Sequence, residues 1–150
     1  MKKTLKWFFI VGLITLVGIQ FIPADVNKQE VIFSSDIRNV YDVPDNVMNI
    51  LETSCYDCHS NNTNYPWYSK VQPVRLLMDK HIREGKKELN FSEFGSYSER
   101  RKRNKIQSIG SQIEDGEMPL SSYLMIHDEA KISNSDKEVL AVFLNNLAKD

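Results

Sequence analysis

The chain has 150 residues, a formal net charge of −1, 26% charged and 41% apolar residues, and two cysteines. Such a length suits one folded domain, and the near-neutral balance argues against nucleic acid as the main partner. Two cysteines cannot build a disulfide framework, so the core must come from helix packing and from whatever the chain encloses.

Residues 1–24 read as a signal or anchor segment. Lys2, Lys3 and Lys6 precede Trp7–Ile22, a run of sixteen in which Thr15 and Gln20 are the polar members. At about 1.5 Å per helical residue the run covers roughly 24 Å, somewhat short of a hydrocarbon core. Cleavable leaders end in small residues. Ile22-Pro23-Ala24 matches that poorly, which favours an uncleaved inner-membrane anchor. Lysines before the run should stay in the cytoplasm, placing the rest of the chain in the periplasm. Residues 25–42 are polar, show no clear helical period and read as a linker.

The domain proper is expected over residues 43–150. Pro44 and Asp45 suit a first helical turn, and Val47, Ile50 and Leu51 then share the face leading into Cys55-Tyr56-Asp57-Cys58-His59. A C-x-x-C-H run reads as a c-type haem attachment site. On a helix, Cys58 and His59 lie three and four residues after Cys55, so all three share one face. Two thioethers could then hold a haem permanently, with His59 as its proximal iron ligand. A redox disulfide and a structural zinc site compete for the same residues. The first lacks a βαβ setting, and the second lacks a fourth ligand at tetrahedral spacing.

Ser60–Tyr68 is rich in Asn and contains Pro66, so it reads as a loop. Trp67 and Tyr68 would cover one edge of the haem or simply fill the core. Pro73 opens a second helix that Gly85 should stop, with Val74, Leu77, Met78 and His81 at helical spacing. His81 is either a satisfied structural residue or an iron ligand. Phe91 and Phe94 are expected core anchors. A third helix spans Ser98–Asp115, buries Ile106, Ile109 and Ile113, and carries Arg100, Arg101, Lys102, Arg103 and Lys105 in its first half. That basic run is a solvated face or a docking patch for an acidic redox partner or anionic lipid. Gly116 ends the helix. Met118 follows on a loop next to Pro119 and is the expected sixth ligand, its thioether suiting iron(II); His127 is the competitor. A last helix is announced by Ser133 and by Ser135, with Glu138 completing a capping box. Val139, Leu140, Val142, Phe143 and Leu147 should close the core. The fold class is therefore all-α: about four helices around a covalently bound haem, preceded by the anchor helix.

The stretch Ser54–Tyr68, with Pro73, His81, Gly85, Gly116-Glu-Met-Pro-Leu120, Tyr123, His127 and Ala130, resembles a bacterial cytochrome-c-type haem-binding domain family. The likeness runs from about Val43 to the C-terminus, and Phe143 stands where the family pattern would have a tryptophan. It implies haem c attached through Cys55 and Cys58, outside the cytoplasm. Together these readings describe a membrane-tethered monohaem cytochrome that passes single electrons to a redox partner protein. A haem-based sensor or small peroxidase with an open sixth position is the alternative, with His81 or His127 acting distally.

Overall fold

The computed structural model describes residues 2–148. Among them there are eight α-helices, three 3₁₀ turns and one isolated β-bridge, so the fold is all-α. Several of the eight are single turns, more than the expected four, because Pro, Asn and Ser interrupt the chain between longer elements.

The first helix, α1 (Lys2–Ile19), exposes apolar side chains on every side. No helix among the described residues is long and apolar enough to cross a membrane. The three lysines occupy the first turns of α1 and leave its apolar run short, so the fold lends the anchor reading no support.

The stretch expected as a linker is docked instead. Asp36 caps α2 (Ile37–Val40), and Ile37 is 1% exposed in the core. The Asp36 carboxylate accepts from the Tyr56 hydroxyl at 3.1 Å and from Arg38 Nε at 3.0 Å, which satisfies a buried charge. Upstream, Lys28 bridges to Asn62, and Asn27 donates to the Ser60 carbonyl at 2.8 Å. These bonds clamp the loop that follows the C-x-x-C-H run.

Helix α3 (Asp45–Ser54) buries Val47 and Leu51 and stops where Cys55 leaves helical geometry at φ −127°. A single turn, α4 (Tyr56–His59), continues the chain at a kink. Helix α5 (Val74–Glu88) runs straight through Gly85. That glycine is not a stop. A Cβ there would lie 2.6 Å from the Cys58 carbonyl oxygen, so Gly85 lets α5 meet α4 backbone to backbone. Phe91 and Phe94, in the 3₁₀ turn Phe91–Ser96, are fully buried as expected. The Phe91 ring stacks on Tyr56 at 5.3 Å.

Helix α6 (Glu99–Glu114) is capped by Ser98 and ends before Gly116, whose φ of +71° suits glycine. Ile106 and Ile113 are buried, each such side chain contributing about 1.5–3 kcal/mol. After the short α7 (Ser121–Leu124), α8 (Asn134–Leu147) packs on α6 and α3. Its capping box is Ser133 with Asp136, not Ser135 with Glu138. Leu140, Phe143 and Leu144 face the core, whereas Val142 points to solvent, one residue off the buried face.

Candidate functional site

Two cavities meet at the C-x-x-C-H segment. One, of about 300 Å³, lies toward α6 between Leu89, Phe91, Ile109 and Ile113. The other, of about 350 Å³, lies toward α5 and α7, against Met78, Ile82, Leu120 and Tyr123. Ser54, Cys55, His59, Glu88, Met118 and Pro119 line both, so the thiol, the imidazole and the thioether converge where the cavities join. Both volumes fall within the size range of cofactor pockets, which are typically ~300–1,000 Å³ and mostly apolar.

His59 is held by the backbone. Its Nδ1 lies 3.0 Å from the Gly85 carbonyl and 3.0 Å from the Leu89 carbonyl. Carbonyls only accept, so Nδ1 carries the proton and Nε2 keeps its lone pair. Burial holds the imidazole below the usual histidine range, against the two carbonyls, which favour the cation. A neutral ring with Nδ1–H tied to backbone is how a metal-ligating histidine is oriented. The close approach at Gly85 is what brings that carbonyl within reach.

Cys55 and Cys58 are free thiols and both are half-buried. Burial, with Cys58 alongside, pushes the Cys55 thiol up to about 12; burial, with Asp57 alongside, pushes Cys58 up to about 11. Redox-active C-x-x-C pairs need the reverse, a lowered thiol. Among the described residues, no three His, Cys, Asp or Glu side chains form a group that could hold a metal ion.

Met118 follows α6 in a fixed position. The amides of Glu117 and Met118 both donate to the Gln112 carbonyl, at 2.9 and 3.1 Å. The Met118–Pro119 peptide bond is cis. The other histidines sit differently. His81 lines the α5-side cavity. His127 lines it too, but both its nitrogens are engaged: Nε2 by the Tyr68 hydroxyl and Nδ1 by Glu129 at 3.0 Å. Its ring stacks on Tyr123 at 4.2 Å. The Tyr123 hydroxyl donates to Asp57 at 2.7 Å, closing a polar wall on that side.

Neither Trp67 nor Tyr68 is among the described residues that line these two cavities. Trp67 is 80% exposed, and the Tyr68 hydroxyl reaches the cleft wall at His127. Asn27 carried no signal in the sequence. Tyr123 was visible only through the family resemblance and Gly85 only as a helix stop; the Asp57 contact of the one and the close approach at the other depend on the fold.

Two thiols three residues apart, an imidazole whose Nε2 no described residue bonds, the thioether of Met118 and an apolar cleft together fit a haem, whose iron His and Met can bind. No curated protein and no solved structure matches the chain. A family model described as the haem-binding domain matches residues 14–146, starting within α1 and taking in the 25–42 stretch, well before the Val43 start of the sequence resemblance. With nearly all of its length matched, the chain belongs to the haem-binding domain family.

Proposed function

We propose that this haem-binding protein is a monohaem c-type cytochrome that carries single electrons. In this reading Cys55 and Cys58 would hold the haem by thioethers, and His59, through Nε2, and Met118 would bind its iron. The observation that carries the reading is the convergence of Cys55, His59 and Met118 on both cavities, with Nδ1 of His59 tied to backbone carbonyls. Bound haem supplies a one-electron iron couple. The chain's own residues orient the ring and exclude water from it, Leu89, Phe91, Ile109 and Ile113 on one side and Met78 and Ile82 on the other. That apolar shell and the residues bound to the iron would set its potential.

Electrons pass to and from a redox partner protein. Thioether attachment takes place outside the cytoplasm in this reading, which puts the domain in the periplasm. The tether to the inner membrane rests on the sequence alone, in which Lys2, Lys3 and Lys6 precede the apolar run Trp7–Ile22.

Denaturing electrophoresis followed by a haem stain tests the attachment: colour that stays with the unfolded chain is expected, and colour that leaves it refutes the thioethers. A reporter fused after Asp150 tests the location; activity confined to the cytoplasm would contradict it. The sensor or peroxidase reading rests on His81 and His127 lining the α5-side cavity. Rapid carbon monoxide binding by the reduced wild-type protein would favour it.

A further inference from the structure

A haem brings a pair of propionate carboxylates into its cleft, and the two cavities receive negative charge very differently. The α5-side cavity carries Asp57, Glu84 and Glu88, and no Lys or Arg is among the described residues that line it. Carboxylates placed there would meet like charge. Across both cavities, Lys105 is the one Lys or Arg among the described lining residues, and it sits on the α6 side.

Lys105, Ser108 and Gln112 stand at i, i+3 and i+7 on α6, and all three line that cavity. The spacing puts an ammonium, a hydroxyl and an amide along one helix edge. The remaining basic residues of this helix are otherwise engaged or outside both cavities: Lys102 pairs with Glu99 at 2.9 Å, and the Arg101 guanidinium lies 4.0 Å over the Tyr97 ring. The Lys105 side chain is only 23% exposed, and its acid contact is Glu88 at 3.5 Å, whose side chain is 73% exposed. A long pair with so exposed a partner is weak, so Glu88 can yield Lys105 to another carboxylate at little cost. A carboxylate entering the half-buried edge, by contrast, needs a cation and donors beside it.

We propose that the Lys105–Ser108–Gln112 edge of α6 is the carboxylate subsite of the haem cleft. Lys105 pairs with a propionate, Ser108 and Gln112 donate to it, and Glu88 turns out to solvent. The inference rests on haem occupying this cleft and does not depend on the thioethers.

The test uses the full chain loaded with haem. Midpoint potentials are measured for the wild type, Lys105→Gln, Lys105→Arg and the control Arg103→Gln, an exposed change of the same charge outside both cavities. The propionate bending bands of the resonance Raman spectrum are recorded alongside. Removing a cation beside a propionate favours the ferric state, so Lys105→Gln should lower the potential and shift those bands. Lys105→Arg should restore both, and Arg103→Gln should move neither. Equal shifts in Lys105→Gln and Arg103→Gln would overturn the proposal, because Lys105 would then be one surface charge among several. Loss of haem in Lys105→Gln but not Lys105→Arg would uphold it. Loss in both would assign Lys105 to packing and overturn it. Wild-type haem that leaves the chain on denaturation would count against covalent attachment and leave this test intact.

Discussion

Two histidines face the same cleft, and their surroundings are opposites. His59 is gripped by main chain: its Nδ1 bonds the carbonyls of Gly85 and Leu89, on and just beyond the end of α5, and no described residue bonds its Nε2. His127 is gripped by side chains: Tyr68 on Nε2, Glu129 on Nδ1 and Tyr123 against the ring face. Backbone partners cannot rotate away, so they fix both tautomer and aim. Side-chain partners can be exchanged, but each must first be given up. A histidine with one nitrogen fixed by backbone presents the other to the cleft, whereas one with both nitrogens satisfied is a wall.

The largest effect should come from breaking the His59 side of the comparison at its covalent end. Replacing both Cys55 and Cys58 by Ala should abolish haem that survives denaturation, as judged by the stained gel. Undiminished covalent haem in that double variant would sink the attachment reading. Next in size is the opposite face of the ring. Met118→Ala should remove the weak far-red charge-transfer band of Met-ligated ferric haem and open the reduced iron to carbon monoxide. His127→Ala should do neither. The reverse pattern, His127→Ala opening the site and Met118→Ala leaving it closed, would make the wall the ligand.

The contrast between the histidines also marks what the sequence could disclose. The C-x-x-C-H run is a local pattern, so Cys55, Cys58 and His59 could be singled out together, and the fold brings Cys55 and His59 to both cavities. The cap at Ser98 and the stop at Gly116 are local, and they too could be read. Several features decided by contact across the chain were hidden. Gly85 looked like a helix stop because nothing local shows a carbonyl 2.6 Å from an absent Cβ. Residues 25–42 looked like a linker because the burial of Ile37 depends on the turn at Phe91–Ser96, where the Gly95 amide reaches the Ser35 carbonyl at 2.7 Å. His127 stayed a plausible ligand because Tyr68, which occupies it, lies fifty-nine residues away in the chain.

A smaller effect, on stability, sharpens the backbone grip on His59. Gly85→Ala would drive a Cβ into the Cys58 carbonyl, and overpacking against rigid backbone typically costs about 1–3 kcal/mol. Gly110→Ala is the control: its Cβ would meet Leu144 only at 4.0 Å, and alanine in a helix interior is favoured by up to about 1 kcal/mol. Chemical denaturation should place the two on opposite sides of the wild type. Equal midpoints would mean that α5 and α4 separate easily and that the Gly85 carbonyl is no fixed anchor for His59.

The smallest expected change is the most searching. Tyr68→Phe removes the hydroxyl from Nε2 of His127, costing roughly 1 kcal/mol for one lost hydrogen bond, and it leaves an imidazole nitrogen free beside the cleft. Two features should still keep that ring where it is. Glu129 holds Nδ1 at 3.0 Å, and Tyr123, itself bonded to Asp57, stays stacked on the ring face. Met118 meanwhile remains fixed through its amide on the Gln112 carbonyl. The far-red band of the ferric protein should therefore persist in Tyr68→Phe at wild-type intensity, with only a slight fall in the denaturation midpoint. If the band disappears and a bis-histidine spectrum replaces it, the Tyr68 hydroxyl was all that kept His127 from the iron. His127 would then be a ligand in reserve, and the division between a ligating histidine and a wall histidine would rest on a single hydrogen bond.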